Sequence, residues 1–389
     1  MKKFDVIVVG SGAGLEIASF AAEHNSSVAL IEEGPLGGTC LNRGCIPSKM
    51  LIHSADVAET IKESAKFGIK SKIESIDFSS IVKRVSEAVD TDSSGIEQAV
   101  RKSGNPVLYK VRSKFIGSKQ MQAGSEQIEA DKVFIVGGTR PSTPPIPGIK
   151  DTPYLDSTKA LRLEKQPEHL VIIGGGYIAA ELAHFFGALG TKITILVRGK
   201  RMLDNEDEEI ADWFTKEFSK KYEVLFNTEV EAVSYQDSKF TIKLKSDGRK
   251  LEADQLLVAT GRVSNTDILD VKATGVEIDE KGYIKVNDYL ETNIEGIWAF
   301  GDIIGILPFR HAANDQVGFA IRNAFTDKVL VDEQNNILGV HIIGPNASIL
   351  IHEAIVAMKA NGKTTAITDS VYIHPALPEW LQRAFFAIE

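Results

Sequence analysis

Residues 4–14 read FDVIVVGSGAG, an apolar strand followed by a glycine-rich turn. A helical stretch to about His24 and a second apolar strand over residues 28–32 follow this turn. Strands that are apolar throughout, rather than at alternate positions, are typical of parallel sheets covered on both faces. The order of strand, glycine turn, helix and strand therefore predicts a dinucleotide-binding βαβ unit within an α/β fold.

The turn of this unit has the residues that phosphate binding requires, with one exception. Gly10, Gly12 and Gly14 let the backbone approach a pyrophosphate, which the N-terminus of the following helix stabilises. Glu32 ends the second strand, where a carboxylate can accept hydrogen bonds from a ribose hydroxyl. The third small position holds Leu15, although a glycine there allows helix and strand to pack closely. An ordinary strand-to-helix turn is the alternative.

The same pattern occurs a second time. Residues 170–173 are apolar, Gly174 and Gly176 lie in a triple-glycine turn, and a helix and another apolar strand follow. The acid of the first unit is replaced here by Arg198, with two more basic residues close behind it. Carboxylates at this point select a free ribose hydroxyl, whereas cations accommodate a 2′-phosphate, so this unit is predicted to bind NADP(H). A solvated basic loop is the alternative, which leaves NAD(H) open.

Both cysteines of the chain fall in one short run, residues 37–49, which reads GGTCLNRGCIPSK. A disulfide between Cys40 and Cys45 closes only a small loop and adds little chain-entropy stabilisation, so the pair is better suited to opening and closing. Lys49 stands at i+4 from Cys45, on the same face of a helix. Inert thiols and half of a metal site are the alternatives. We predict no metal, because metal sites usually draw on more Cys and His than this run contains.

The composition of the chain limits its partners. A net charge of −9 argues against nucleic acid, because phosphate binding needs clustered Lys and Arg. The N-terminus leads directly into the first strand, without a charged leader or a long apolar run. We therefore expect neither secretion nor membrane insertion, and predict a cytoplasmic enzyme.

The rest of the chain suggests further elements and a separate C-terminal domain. Residues 78–100 are predicted to be helical, residues 107–136 to form several short strands, and the Pro-rich run 141–147 to be a linker. From about Phe319 onward, strands and an amphipathic helix over residues 348–360 indicate another domain.

Together these features resemble the class I FAD-dependent pyridine nucleotide-disulfide oxidoreductases. The run GGTCLNxGCIPSK is highly specific, and the resemblance extends to residues 174–181, 259–262, 301–302 and 374–379. Within this family the sequence is similar to dihydrolipoyl dehydrogenases and mycothione reductases. The resemblance implies two Rossmann-like domains, one for FAD and one for NAD(P), and a C-terminal α+β dimerisation domain.

Domain boundaries follow from this resemblance. We expect an FAD-binding domain over residues 1–148 and 264–318, an NAD(P)-binding domain over 149–263, and an interface domain over 319–389. The interface domain is shortened near residues 323–328, where its opening strands are expected. Either this domain is reduced, or a stretch is missing from the sequence; the need of a dimer for an intact interface favours the second explanation.

The resemblance also implies the roles of the redox residues. Cys45 is the sulfur next to the flavin, and Cys40 is the interchange sulfur that forms a mixed disulfide with the substrate. Because exchange requires a thiolate, a base must lie beside Cys40. His374 is the candidate, held by Glu379 as in a His–carboxylate dyad. In this family that histidine reaches the active site of the other subunit, so we expect a homodimer.

Further residues are assigned to the cofactors. Lys49 and Glu181 are predicted to pair near the flavin, with an ordinary interdomain ion pair as the alternative. Asp302 matches the family residue that hydrogen-bonds the flavin ribityl chain, and Arg310 and His311 follow it without an assigned role. Other predicted cofactor-binding positions are Gly38, Thr39, Gly138 and Gly261.

The expected function is electron transfer between NAD(P)H and a dithiol or disulfide through FAD and the Cys40–Cys45 pair. One form is dihydrolipoyl dehydrogenase-like, with a lipoyl substrate and a lipoyl-bearing multienzyme complex as a partner. The alternative is an NADPH-dependent reductase of a low-molecular-weight disulfide, similar to mycothione reductase, which Arg198 favours. A third possibility is a noncatalytic structural flavoprotein.

Overall fold

The computed structural model describes residues 1–325 and 347–360, together with residues 362 and 367. These residues belong to two compact units. In chain order, the strands are β1 (Lys2–Val9), β2 (Val28–Ile31), β3 (Val107–Tyr109), β4 (Ser113–Gly117), β5 (Gln120–Ala123), β6 (Glu126–Ile135), β7 (Thr139–Pro141), β8 (His169–Ile173), β9 (Lys192–Leu196), β10 (Glu223–Leu225), β11 (Val230–Gln236), β12 (Lys239–Leu244), β13 (Lys250–Ala253), β14 (Gln255–Val258), β15 (Arg262–Ser264) and β16 (Ile297–Ala299). The helices are α1 (Gly14–Glu23), α2 (Gly38–Arg43), α3 (Cys45–Glu63), α4 (Phe78–Ser103), α5 (Ser157–Ala160), α6 (Tyr177–Ala188), α7 (Glu208–Phe218), α8 (Arg310–Phe325) and α9 (Ala347–Ala360). Among the described residues, all strands lie in the first compact unit, as do all of these helices except α7 and α9.

The first compact unit contains a sheet built on the first predicted βαβ unit. Its parallel strands follow the order β3-β2-β1-β6, with β16 also parallel to β6, and β4 and β5 extend it as an antiparallel hairpin. Helix α1 makes the crossover from β1 to β2. The side chains of β1 from Val6 to Val9 are buried, as expected for a strand covered on both faces. The carboxyl ends of the parallel strands therefore meet at one edge, where α1 begins.

A second parallel sheet, in the order β10-β9-β8-β14, corresponds to the second predicted unit. Helix α6 makes the crossover from β8 to β9. The antiparallel strands β11, β12 and β13 pack on this sheet through a shared apolar core that includes Val171, Leu196, Phe240 and Ile242. Both predicted dinucleotide units are thus present in the fold.

Chain segments between and after the two sheets refine the predicted organisation. The predicted Pro-rich linker begins at the end of β7, which pairs antiparallel with β15. The two chain crossings between the sheets therefore run side by side. Helix α8 is continuous from Arg310 to Phe325, across the predicted boundary at residues 318–319. The domain boundaries stay predictions. The predicted shortening near residues 323–328 cannot be followed past Phe325, because residues 326–346 lie outside the described residues.

The second compact unit is described by α7 and α9. Arg201 precedes α7, and its guanidinium donates to Asp204, Glu208 and Asp212 at 2.7, 2.8 and 3.0 Å. Helix α9 matches the helix predicted over residues 348–360. Within the part of the chain that the structure describes, no helix combines the length and apolar character that a membrane span requires.

Candidate active site

The run of residues 37–49, called the redox turn below, forms two consecutive helices. Gly37 precedes α2 with φ of +98°, a conformation that favours glycine. Helix α2 ends before Gly44, and α3 begins at Cys45. A Cβ on Gly44 would lie 3.0 Å from the carbonyl oxygen of Thr39, so the chain folds back tightly between the helices. This turn brings the free thiols of Cys40 and Cys45 into hydrogen-bonding contact.

The two thiols differ in their proton affinity. The hydrogen bond from Cys40 lowers the pKa of Cys45 to about 6, and the positive charge of Lys49 adds to this effect against burial and the charge of Glu181. The same hydrogen bond, together with burial, raises the pKa of Cys40 above its ordinary value, and the charge of Arg310 opposes that rise. In the reduced protein at neutral pH, Cys45 is therefore a thiolate that accepts a hydrogen bond from the Cys40 thiol.

Lys49 and Glu181 connect the redox turn to the second dinucleotide unit. The ammonium of Lys49, one turn beyond Cys45 on α3, donates to Oε1 of Glu181 on α6. The same two helices also make contact through Asp56 and His184, whose Oδ1 and Nε2 are 2.8 Å apart. The Lys49 side chain is 63% exposed, so the pair adds little to stability. The main chemical effect of the pair is that its charges act on the Cys45 thiolate.

The first glycine turn is closed against β6. Gly10 has φ of +108°, and a Cβ there would lie 2.4 Å from the carbonyl oxygen of Val136. At Gly14, a Cβ would lie 2.8 Å from Cγ1 of Val8, so the close approach of α1 to β1 occurs at this residue. Leu15, which departs from the glycine pattern at the third small position, is half-buried.

Glu32 and Gly38 converge on this turn. The Glu32 carboxylate accepts hydrogen bonds from the backbone N–H and the hydroxyl of Ser11, at 3.1 and 2.7 Å, and from the N–H of Gly34 at 2.9 Å. A Cβ on Gly38 would lie 2.5 Å from Cα of Gly12, so only the bare backbones fit against each other. The redox turn and the pyrophosphate-type turn thus share one surface, as a flavin dinucleotide reaching from one to the other requires.

Asp302, Thr139 and Arg262 form a hydrogen-bonded cluster, called the Asp302 group below, beyond the carboxyl ends of β6 and β16. Asp302 Oδ2 accepts a hydrogen bond from Thr139 Oγ1 at 3.0 Å, and Thr139 in turn accepts from Nε of Arg262 at 2.8 Å. Burial lowers the pKa of Arg262 from its ordinary value. Gly138, with φ of +63°, has open space where a Cβ would stand. The predicted hydrogen bond from Asp302 to the flavin ribityl chain stays a prediction.

Sequence reasoning did not assign roles to Thr139, Arg262 or Tyr177. Tyr177 is the first residue of α6, half-exposed, and burial raises the pKa of its phenol. The charges of Arg262, Asp302 and Cys45 also act on this phenol, so the ring lies near both the redox turn and the Asp302 group. Its position directly after the triple-glycine turn is the sequence signal that could have identified it.

The second glycine turn is built like the first. Gly174 has φ of +133°, and a Cβ there would lie 2.2 Å from the carbonyl oxygen of Ala259. Gly176 and Gly261 have open space at their Cβ positions. Arg198 follows β9 and is exposed, and it makes no side-chain hydrogen bond or ion pair with the residues that the structure describes. Its guanidinium is thus available to an anionic group of a bound nucleotide.

Two predicted catalytic residues, His374 and Glu379, lie outside the described residues. The other predicted site residues fall into four groups, namely the redox turn with Glu181, the first glycine turn with Glu32, the Asp302 group, and the second glycine turn with Arg198. Within the described ranges, no cluster of three or more His, Cys, Asp or Glu side chains is arranged to hold a metal ion.

Comparisons with known proteins agree with this architecture. Residues 4–317 match the model of the pyridine nucleotide-disulphide oxidoreductases, and residues 299–385 match the dimerisation domain of the same proteins. The chain therefore belongs to this family, whose members are FAD-dependent and use NAD(P)H. The match to the dimerisation domain supports a homodimer, and small thiol or disulfide substrates fit the family.

Several relatives cover the whole chain. Mycothione reductase of Mycobacterium tuberculosis is 30% identical, with 100% of both chains aligned. Dihydrolipoyl dehydrogenase of Chlamydia pneumoniae is 30% identical over 99% of this chain and 97% of the relative. Among solved structures, the Cu(II) complex of the HOCl-induced flavoprotein disulfide reductase RclA from Escherichia coli superposes with a TM-score of 0.88 at 25% identity, covering 100% of both chains. The substrates of these relatives differ, although their fold is shared.

Proposed function

We propose that the protein transfers electrons between NAD(P)H and a small dithiol or disulfide through FAD and the Cys40–Cys45 pair. The observation that carries this proposal is the pair of unlike thiols beside the Lys49–Glu181 ion pair. A structural dithiol has no need of a depressed pKa, whereas a thiol that exchanges electrons does. A noncatalytic role is disfavoured for the same reason.

The residues of the first unit suit the flavin cofactor. Gly12 and Gly14, at the N-terminus of α1, would hold its pyrophosphate, and Glu32 its ribose. Gly38, Thr39, Gly138 and Asp302 would line the rest of the dinucleotide. When bound, FAD supplies two-electron transfer between a nicotinamide and the cysteine pair. Lys49 would lie beside the reacting end, with its charge balanced by Glu181.

The cysteines would reduce a disulfide in two exchanges. Cys40 loses its proton and attacks one substrate sulfur, so that a mixed disulfide forms and the first substrate thiol leaves with that bond's electron pair. Cys45 then attacks the Cys40 sulfur, releasing the second thiol and closing the Cys40–Cys45 disulfide. The dithiol is oxidised and the substrate is reduced by two electrons. We propose His374, held by Glu379, as the group that takes and returns the proton across the homodimer.

The charge at the second unit favours NADPH as the electron donor. Arg198 stands where a carboxylate would select NADH, and its guanidinium is exposed. An NADPH-dependent reductase of a low-molecular-weight disulfide is the function that this residue supports. In that case we expect electrons to pass from NADPH to the disulfide. We also expect the enzyme to act in the cytoplasm.

A dihydrolipoyl dehydrogenase is the second candidate. The relative from Chlamydia pneumoniae supports it, because it aligns over nearly the whole of both chains. This function would require a lipoyl substrate, carried by a multienzyme complex, and NAD⁺ as the electron acceptor.

Stopped-flow reduction of the purified flavoprotein with NADPH and with NADH distinguishes these candidates. Reoxidation by lipoamide and by a panel of small disulfides follows in the same instrument. Rapid reduction by NADPH and reoxidation by a small disulfide, but not by lipoamide, is the expected result. Preference for NADH with lipoamide turnover would establish the second candidate. If neither nucleotide reduces the cysteine pair, the enzymatic proposal is wrong.

A further inference from the structure

Gly12 differs from the other two glycines of the first turn in the space around it. A Cβ on Gly10 or Gly14 would lie 2.4 or 2.8 Å from atoms of the protein, which is too close. At Gly12, the nearest atoms to a Cβ would be Cα of Gly38 at 3.8 Å and Nη1 of Arg310 at 3.9 Å, both ordinary contact distances. Gly12 also has no positive φ, unlike Gly10. Because the second glycine of a dinucleotide turn lets the backbone approach a pyrophosphate, the space at Gly12 fits that group.

Arg310, the first residue of α8, forms one wall of this space and has no role in the functions considered so far. Its Nη2 is 3.9 Å from Oε1 of Glu16, which is longer than a hydrogen bond and at the outer limit of an ion pair. The Arg310 side chain is 31% exposed and that of Glu16 is 53% exposed, so solvent weakens this pairing. A guanidinium has five N–H donors, so Arg310 can bind an anion above Gly12 while it stays near Glu16.

The charges around the first glycine turn call for such a cation. Glu32 accepts hydrogen bonds from the backbone N–H and the hydroxyl of Ser11, and Glu16 lies in the first turn of α1. The N-terminus of α1 contributes the equivalent of only about half a positive charge. A pyrophosphate adds more negative charge to a surface that already has two carboxylates. The guanidinium of Arg310 offsets this charge at Gly12.

Two other cations near the redox turn lie at different places. Nη2 of Arg43 is 2.9 Å from the position of a Cβ on Gly34, and Lys49 donates to Glu181. Of these three cations, Arg310 is the one whose distances place it at the glycine turn.

We propose that Arg310 binds the pyrophosphate of FAD and slows release of the cofactor. This inference rests on the placement of FAD in the proposed function, and it adds a residue of α8 to a site otherwise assigned to residues before it in the chain. A guanidinium can donate two parallel N–H bonds to phosphate oxygens, and it stays charged throughout the physiological pH range. It would also separate the pyrophosphate from the carboxylate of Glu16.

The test measures the release of FAD from the full-length holoenzyme. Flavin fluorescence is followed after dilution at increasing concentrations of NaCl. Arg310→Gln is expected to speed release by about ten- to hundredfold at low salt, the effect of losing a hydrogen bond to a charged group. Its release should also depend less on salt than that of the wild type, because one ion pair with the cofactor is gone.

Two further variants bracket this result. Arg310→Lys keeps the charge but not the paired donors, so its release rate should lie between those of the wild type and Arg310→Gln. Arg112→Gln removes an exposed charge elsewhere, and this matched control should release FAD like the wild type. If Arg310→Gln does not fold, Arg310→Ala takes its place as the uncharged variant.

ADP locates the effect, because it carries a pyrophosphate and adenosine without the flavin. In competition with FAD for the apoprotein, ADP should bind Arg310→Gln more weakly than the wild type by a factor similar to that for FAD. Unchanged FAD release overturns the proposal. Faster release with unchanged salt dependence and unchanged ADP affinity would assign Arg310 to packing and also overturns it. Absence of turnover with every disulfide would refute the proposed function and leave both measurements interpretable, since neither uses a thiol.

Discussion

The two dinucleotide units have the same local geometry but opposite charge at corresponding positions. In each, a buried strand ends at a glycine with positive φ, Gly10 or Gly174, whose missing Cβ makes room for a carbonyl oxygen of a neighbouring segment. After the second strand of each unit, the first has Glu32 and the second has Arg198. The Glu32 carboxylate is held by three hydrogen bonds from the protein, whereas the guanidinium of Arg198 is exposed. Packing therefore sets the turn, and we propose that the charge at the strand end selects the nucleotide.

The units also differ in what packs against their turns. The redox turn lies on the glycine turn of the first unit through Gly38 and Gly12. It contacts the second dinucleotide unit through the Lys49–Glu181 pair, which is weak because the Lys49 side chain is 63% exposed. We propose that electrons from a nicotinamide on the second dinucleotide unit reach the cysteines by way of a flavin on the first. The comparison predicts severe effects for changes at the redox turn, and graded ones for changes at the second unit.

The largest effect is expected from removing a sulfur. Cys45→Ala should lower disulfide reduction by at least about 10³-fold, because the mixed disulfide on Cys40 can no longer be resolved. FAD content and reduction of the flavin by NADPH should remain, since the glycine turn is untouched. Flavin absorbance and steady-state turnover measure the two quantities. Turnover close to that of the wild type would exclude the cysteine pair from the electron path.

A matched pair of glycine substitutions tests the packing of the two turns. Gly10→Ala should reduce the free energy of unfolding by about 2–4 kcal/mol and release FAD, because the new Cβ would meet the Val136 carbonyl at positive φ. Gly176→Ala should change it by at most about 0.5 kcal/mol, since its φ of −87° suits any residue and its Cβ enters open space. Urea unfolding and bound flavin are the measurements. Equal losses in the two variants would contradict the close approach at Gly10.

Sequence reasoning identified both units because glycine turns and wholly apolar strands depend on local rules. It also placed Lys49 and Cys45 on one helix face, and α3 has them there. It did not predict the groups of residues that come together through contacts between distant segments. Thr139 and Arg262 join Asp302 through the pairing of β7 with β15, which no local pattern encodes.

Reversing the charge at the second unit should change the nucleotide preference. Arg198→Glu is expected to lower kcat/KM for NADPH by about 10²-fold, because a charge-assisted hydrogen bond is replaced by repulsion of the 2′-phosphate. The value for NADH should stay the same or rise. Stopped-flow reduction with each nucleotide gives the ratio, and Lys245→Gln serves as a control that removes a nearby cation already paired with Glu229 at 2.8 Å. An unchanged ratio in Arg198→Glu would assign the preference to other residues.

The smallest effect concerns the protonation of Cys45. Because its folded pKa is lowered to about 6, the thiolate of the reduced protein should be present at neutral pH and lost as the pH falls through that value. Any stability that this ionisation contributes is complete above the pKa of the unfolded thiol, and it declines as the pH falls toward the folded value. Lys49→Met should shift the midpoint upward, since one of the charges that favour the thiolate is gone, whereas Lys62→Met on the same helix should not. Thiolate absorbance against pH measures the midpoint.

The hydrogen bond from Cys40 is the largest cause of the low pKa, so Cys40→Ala should raise the midpoint more than Lys49→Met does. The opposite order would make Lys49, and with it the contact to the second unit, the main determinant of the thiolate.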